Sequence, residues 1–127
     1  MDNLKVAVVD DEEMIRDFMV DAISESGTEH VLSFQNGEAA WDYLKGNDKL
    51  DILVSDIDMP FMNGLELLSR VKNSYPGIKC IMMSADPDKE NEARNLGADV
   101  FLSKPFRLKT LLGLMKTFVE GCDPLVI

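Results

Sequence analysis

The sequence predicts an α/β protein: a doubly wound parallel sheet of about five strands with helices on both faces. Short apolar runs recur at a steady interval along the 127 residues, and segments with the period of amphipathic helices lie between them. The runs are apolar throughout instead of alternating with polar residues, as expected for strands covered on both sides. Alternation of strands and helices implies parallel strands joined by right-handed crossovers.

Five segments are predicted as strands because they are short and consist mainly of β-branched or bulky apolar residues. In chain order they are LKVAVV (4–9), VLSF (31–34), DILVS (51–55), KCIMMS (79–84) and VFLS (100–103).

Three apolar stripes with helical spacing predict helices between and after these strands. The first consists of Met14, Ile15, Phe18, Met19, Ala22 and Ile23. A shorter stripe consists of Leu65, Leu68 and Val71. The last and clearest consists of Leu108, Leu111, Leu112, Met115, Phe118 and Val119.

Glycine and proline mark where these helices should end. Gly27, Gly46 and Gly97 each follow a helical stretch, so we expect them in left-handed positions just after a helix. The segment YPG (75–77) predicts a turn before the fourth strand.

The composition is typical of one globular domain, which we expect to span residues 1–121, followed by a short tail over 122–127. The formal net charge of −10 argues against a nucleic-acid surface, because phosphate binding requires clustered Lys and Arg. No apolar stretch approaches membrane-spanning length, and the N-terminus lacks a secretory pattern. Cys80 and Cys122 form no disulfide pattern, so we expect reduced thiols and a cytoplasmic protein without a membrane partner.

Five polar residues stand at or just after the C-terminal ends of predicted strands: Asp10, Asp11, Asp56, Ser84 and Lys104. Each has an ordinary explanation on its own, as a helix cap, a turn residue or a solvated lysine. Their joint placement is not explained in this way. Because ligands of doubly wound sheets bind beyond the carboxyl ends of the strands, we expect these residues to form a site.

Three carboxylates in one pocket repel each other and require countercharge. Hard oxygen ligands with few protein contacts suit Mg²⁺, which usually shares a phosphate group with the protein. We therefore expect the acidic pocket to hold a divalent ion and to accept a phosphoryl group. In this interpretation Asp56 is a nucleophile.

The same residues resemble the receiver domain of two-component response regulators over nearly the whole chain. The matching segments are the acidic pair in VVDDEE, the acceptor motif SDIDMPFMNGLELL, the hydroxyl in IMMSA and the segment FLSKPF, all in family order. The resemblance implies a flavodoxin-like sheet with strand order 2-1-3-4-5. It also implies a cytoplasmic signalling protein that carries an aspartyl phosphate.

The resemblance assigns a role to each acid. Asp56 is implied as the phosphoacceptor. Asp11 and Asp56 are implied to bind Mg²⁺ directly, and Asp10 mainly through water. The backbone carbonyl of Asp58 is implied as a further ligand.

The resemblance also implies the groups that would hold the phosphoryl group and pass on the signal. Ser84 would donate a hydrogen bond to it, Lys104 would neutralise one of its oxygens, and the amides of Asp58 and Ala85 would contact it. Phe101 matches the aromatic switch position of the family, where Ser84 and Phe101 change together. The bond from Lys104 to the following proline is expected to be cis.

By this resemblance a sensor histidine kinase or a histidine phosphotransfer protein donates the phosphoryl group, and phosphorylation changes the binding of a downstream target or of an output domain. The domain would catalyse only its own phosphorylation and dephosphorylation, so it is not an enzyme in the usual sense. Asp58 and Asp86 stand at positions that tune dephosphorylation in the family. Whether the protein is a monomer or a phosphorylation-dependent dimer stays open.

Two other functions are compatible with parts of the pattern. SDID resembles the two-aspartate motif of haloacid dehalogenase-type phosphatases, which also use an aspartyl nucleophile. In those enzymes, however, the nucleophile follows the first strand, the acidic pair comes near the end, and a cap segment is usual. The second alternative is a receiver-like interaction module that no longer accepts phosphate, but all five key residues are present.

Overall fold

The computed structural model describes residues 4–46 and 50–119, and within them five parallel strands form one sheet. The strands are β1 (Lys5–Val9), β2 (His30–Phe34), β3 (Ile52–Asp56), β4 (Lys79–Ser84) and β5 (Val100–Ser103). Their order across the sheet is β2-β1-β3-β4-β5. The predicted fold class and strand order are confirmed, and each strand lies within one residue of its predicted bounds.

The helices are α1 (Glu13–Glu25), α2 (Gly37–Gly46), α3 (Gly64–Ser74), α4 (Glu90–Asn95) and α5 (Leu108–Val119). A 3-10 helix, Pro87–Lys89, leads directly into the short α4. Among the described residues, no helix combines the length and the apolar character needed to cross a membrane.

Each face of the sheet packs against its own group of helices. One core contains Ala7 and Val9 of β1 together with buried residues of α2, α3 and α4. The other contains Val6 and Val8 together with buried residues of α1 and α5. Successive side chains of a strand point to opposite faces, so a strand covered on both sides must be apolar at every position. This explains why the strand sequences do not alternate.

The predicted stripes of α3 and α5 face the sheet, but that of α1 is only partly covered. Met19 and Ile23 are buried, whereas Met14 is 86% exposed and Phe18 is 62% exposed. The stripe is therefore helical as predicted, but the core covers little of it in the first two turns of α1. Helical period shows which residues share a face, but not how far another element covers that face.

The glycine predictions were correct at two of three positions. Gly27 and Gly97 both have φ of 106°, the left-handed region in which glycine has no steric penalty. Gly46 is instead the last residue of α2. The predicted tail at 122–127, including Cys122, and the side chain of Val119 lie outside the described residues.

An ion pair stabilises the edge of the sheet that lies opposite the predicted site. Lys72 of α3 contacts Asp99, just before β5, at 2.8 Å and donates to the carbonyl of Ile78 at 2.6 Å. Asp99 also accepts from the amide of Cys80 at 2.8 Å. Because this carboxylate satisfies a backbone donor as well as a cation, it links α3, β4 and β5.

Candidate functional site

Three of the predicted acids meet at the carboxyl edge of the sheet. Asp10 follows β1 directly, Asp11 comes next, and Asp56 ends β3, which is the neighbour of β1. One carboxylate oxygen from each lies within 4.8 Å of the other two. Asp10 and Asp56 are buried, whereas Asp11 is exposed. Of the three acids, only Asp11 is therefore well exposed to solvent.

One carboxylate oxygen of Asp10 has a partner and the other has none. Its Oδ1 accepts from the amide of Glu12 at 2.9 Å, and Arg16 donates to its backbone carbonyl at 2.8 Å. Its Oδ2 is buried without a hydrogen-bond partner. A buried unpaired carboxylate oxygen beside two further carboxylates is unfavourable unless a cation is present. The donor set, oxygens only, fits Mg²⁺.

Lys104 supplies the positive charge of the site. It follows β5, and its Nζ lies 3.2 Å from Oδ1 of Asp56. Its amide donates to the carbonyl of Ser84 at 2.9 Å, which fixes the loop after β5 against the end of β4. The predicted cis bond between Lys104 and Pro105 is confirmed.

Ser84 lies at the buried end of β4, and its hydroxyl contacts a different carboxylate from the acceptor. It donates to Oδ2 of Asp58 at 2.7 Å, and its oxygen accepts from the amide of Asp86 at 3.0 Å. Asp58 also contacts Nζ of Lys89 at 3.0 Å through Oδ1. The side chain of Asp58 therefore joins the β3–α3 loop to the end of β4 and to the 3-10 helix.

The two aspartates of the SDID motif have opposite electrostatic environments. Burial raises the pKa of the Asp56 carboxyl above its ordinary value, although Lys104 acts against this effect. Burial also acts to raise the pKa of Asp58, but hydrogen bonds from Ser84 and Lys89 outweigh it, so that pKa lies below its ordinary value. Contact with Asp58 in turn raises the pKa of Lys89. The ionised carboxylate of Asp58 is already stabilised by Ser84 and Lys89, whereas that of Asp56 would be stabilised by additional positive charge.

Two features of the β3–α3 loop were not predicted from the sequence. A side chain at Gly64 would overlap the backbone carbonyl of Asp56, so only glycine allows α3 to begin this close to the acceptor. Phe61 has φ of 64° and its ring is 86% exposed, which is unusual for an aromatic residue. The sequence signal that could have indicated the role of Gly64 is the NG pair of the acceptor motif. No sequence signal marked the contact between Lys89 and Asp58.

An open apolar cavity of about 370 Å³ lies beside the acidic cluster. Ile15 and Phe18 of α1 line it on one side, and Pro105 and Phe106 line it on the other. Lys104 also borders it, so the cavity adjoins the site. The uncovered part of the α1 stripe therefore faces the region next to the carboxylates.

Phe101, the predicted switch residue, is buried on β5 and belongs to the core that also contains residues of α3 and α4. Its side chain is therefore buried on the face of the sheet that packs against α2, α3 and α4. Its rotation on phosphorylation stays a prediction.

The family model for the response regulator receiver domain matches residues 6–116. The chain belongs to the receiver domain family of response regulators. A chemotaxis protein CheY homolog of Campylobacter jejuni is 32% identical to this receiver domain over 112 residues, which cover 85% of this chain and 86% of the relative.

Solved receiver domains have the same fold. A CheY-like receiver domain protein from Methanospirillum hungatei is similar with a TM-score of 0.86 at 27% identity, covering 94% of this chain and 96% of that one. The response regulator TrrA of Thermotoga maritima, solved in complex with Mg²⁺-BeF, has a TM-score of 0.81 at 26% identity, covering 90% and 97%. Membership of this family does not favour the haloacid dehalogenase alternative.

Proposed function

We propose that this receiver domain accepts a phosphoryl group on Asp56 in the presence of Mg²⁺ and thereby changes its binding to a partner. The observation that carries the proposal is the meeting of Asp10, Asp11 and Asp56 within 4.8 Å of one another, with Lys104 at 3.2 Å from the acceptor. No packing role requires three acids and a lysine at this edge of the sheet.

The transfer itself requires alignment and charge neutralisation from the protein more than covalent help. A carboxylate oxygen of Asp56 forms a bond to phosphorus as the bond from phosphorus to the donor nitrogen breaks, and the leaving nitrogen keeps the electron pair. Lys104, already beside Asp56, stabilises negative charge on the phosphoryl oxygens. Water later hydrolyses the acyl phosphate, so the domain catalyses only its own modification and its reversal.

The residues that would hold the metal are Asp11 and Asp56 directly, Asp10 through water, and Asp58 through its backbone carbonyl. Mg²⁺ would supply positive charge between the carboxylates and the phosphoryl oxygens. The buried Oδ2 of Asp10 supports this assignment, because no protein group donates a hydrogen bond to it. A water molecule bound to the metal could make that contact.

We further propose a sensor histidine kinase or a histidine phosphotransfer protein as the donor. An apolar surface beside the acids supports a protein partner, because exposed apolar side chains of this size favour contact with another protein. The large apolar residues with high exposure in the described chain are Met14, Ile15, Phe18 and Phe61. The first three lie in α1, shortly after Asp10 and Asp11, and Phe61 lies in the β3–α3 loop after Asp56. The target that reads the phosphorylated state is a downstream protein or an output domain.

The proposal is tested by incubation with acetyl phosphate and Mg²⁺, followed by measurement of the intact mass. We expect one added phosphoryl group per chain, which is lost with Asp56→Ala and with EDTA. Glu29→Gln removes an acid just before β2, at the opposite edge of the sheet, and should label like the wild type. Labelling that persists in Asp56→Ala would show that the acceptor lies elsewhere.

A second measurement separates this function from the alternatives. A phosphatase would release many equivalents of phosphate from a small phosphomonoester, whereas a receiver releases at most the group that it carries. A module that no longer accepts phosphate would remain unlabelled in the first experiment. We also propose a cytoplasmic location, which is supported by the free, buried thiol of Cys80.

A further inference from the structure

We infer that Asp58 is a positioning residue that holds the hydroxyl of Ser84 away from the phosphoryl site in the resting domain, and that phosphorylation must break this contact. We call the contacts of Asp58 with Ser84 and Lys89 the Asp58 latch. The inference rests on the proposed function, because it concerns competition between Asp58 and a phosphoryl group on Asp56.

The hydroxyl of Ser84 is already engaged in the resting domain. Ser84 has a single hydroxyl hydrogen, and it is donated to Oδ2 of Asp58 at 2.7 Å. The hydroxyl oxygen accepts from the amide of Asp86 at 3.0 Å. Ser84 therefore has no second hydrogen with which to contact a phosphoryl oxygen while the latch is closed.

The contact between Ser84 and Asp58 competes strongly with a phosphoryl group. A hydrogen bond to a carboxylate is stronger than one between neutral groups. Lys89 contacts the other oxygen of the same carboxylate at 3.0 Å and so orients it towards Ser84. Ser84 itself is fully buried, so solvent does not compete for its hydrogen. The free energy needed to open the latch therefore disfavours a hydrogen bond from Ser84 to a phosphoryl oxygen.

The Asp58 latch also connects two separate parts of the fold. Asp58 lies in the β3–α3 loop, whereas Lys89 is the last residue of the 3-10 helix that leads into α4. When Ser84 changes partner, the link between that loop and the end of β4 is lost. The latch therefore connects the state of the acceptor to the start of α4.

The first experiment uses the ligand-free domain and does not depend on phosphorylation. A double-mutant cycle of Asp58→Ala and Ser84→Ala is measured by urea unfolding. We expect the two sites to be coupled by about tenfold in the unfolding equilibrium constant, as for a buried hydrogen bond to a charged group. Additive effects of the two substitutions would overturn the latch.

The second experiment measures the affinity for beryllofluoride with Mg²⁺, a phosphoryl mimic. We expect Asp58→Ala to bind about tenfold more tightly than the wild type, because no competing contact must be broken. Asp58→Asn keeps an oxygen that can accept from Ser84, so its gain should be smaller. Lys89→Gln should also bind more tightly, because the latch is weakened. If the substitution acted only by removing a positive charge near the anion, it would instead bind more weakly.

Two controls separate the latch from a general effect of charge. Glu90→Gln removes a neighbouring acid that pairs with Arg94 at 2.8 Å and not with Ser84, and it should bind like the wild type. In a Ser84→Ala background, the latch predicts that Asp58→Ala gives no further gain, whereas charge removal alone would still give one.

The outcomes also separate this inference from the proposed function. If the wild type binds no beryllofluoride, the proposed function is wrong, and the competition with it. If the wild type binds and Asp58→Ala binds equally, the proposed function stands and the latch is wrong. An equal gain in Asp58→Asn and Asp58→Ala that persists without Ser84 also overturns the latch.

Discussion

Neutralising Asp10 should make the resting domain more stable and at the same time remove its response to Mg²⁺. The side chain is buried, and one of its oxygens has no partner. In Asp10→Asn the amide can retain the hydrogen bond from Glu12 to Oδ1, which is 2.9 Å long in the wild type. The substitution therefore removes repulsion with little loss of contact. It also removes a carboxylate that we propose to hold Mg²⁺ through water.

The distances in the cluster set the size of the effect. One oxygen of each acid lies within 4.8 Å of the others, and two unit charges at that separation repel by about 0.9 kcal/mol in bulk water and by about 3.5 kcal/mol at an effective dielectric constant of 20. Because Asp11 is exposed and Lys104 partly neutralises Asp56, we expect a gain near the lower end, about 1 kcal/mol. For a domain of this size, that raises the melting temperature by about 4 °C.

In Mg²⁺ the stability advantage of Asp10→Asn over the wild type should disappear. Mg²⁺ at ten times its dissociation constant should stabilise the wild type by about 1.4 kcal/mol, since only the folded state has the cluster. This corresponds to a rise in melting temperature of about 5 °C. For Asp10→Asn at the same Mg²⁺ concentration we expect a rise of less than about 1 °C, because the weakened site is mostly empty at that concentration.

The assay is thermal unfolding followed by circular dichroism, with EDTA and with increasing Mg²⁺. Glu29→Gln serves as a charge-matched control, because Glu29 precedes β2 at the edge opposite the cluster, and it should melt like the wild type under both conditions. A melting temperature of Asp10→Asn below that of the wild type in EDTA would refute the repulsion argument. A full Mg²⁺ response in this variant would refute the metal assignment.

Three further predictions concern the scaffold. Asp99 accepts two hydrogen bonds of 2.8 Å, so Asp99→Ala should lower the free energy of unfolding by about 2–3 kcal/mol in urea, and Asp99→Asn by less; equal losses would contradict this. Burial raises the pKa of Cys80 to about 12, so iodoacetamide should modify a Cys122→Ser chain only after unfolding, and rapid native labelling would be inconsistent with burial. Gly64→Ala should lower the free energy of unfolding by about 3 kcal/mol and reduce phosphorylation. Gly113→Ala should do neither, because its new methyl group meets open space.

The strands and the identity of the site residues followed from local sequence. A strand covered on both faces must be apolar throughout, and an acid that ends such a run stands out against it. Asp10, Asp56 and Ser84 are of this kind, since each is a buried polar residue at or just after the end of an apolar strand. Because parallel strands end at one edge, their order along the chain was enough to predict that they meet.

The sequence determined which residues gather at the edge of the sheet, because that depends on period and on strand direction. Only the tertiary structure decided which atoms contact each other there. Asp58 lies 26 residues from Ser84 and 31 from Lys89, and no local pattern encodes a side-chain contact over that separation. In the same way, helical spacing placed Met14 and Phe18 on the stripe of α1, but the extent of the neighbouring elements decided that these side chains remain exposed.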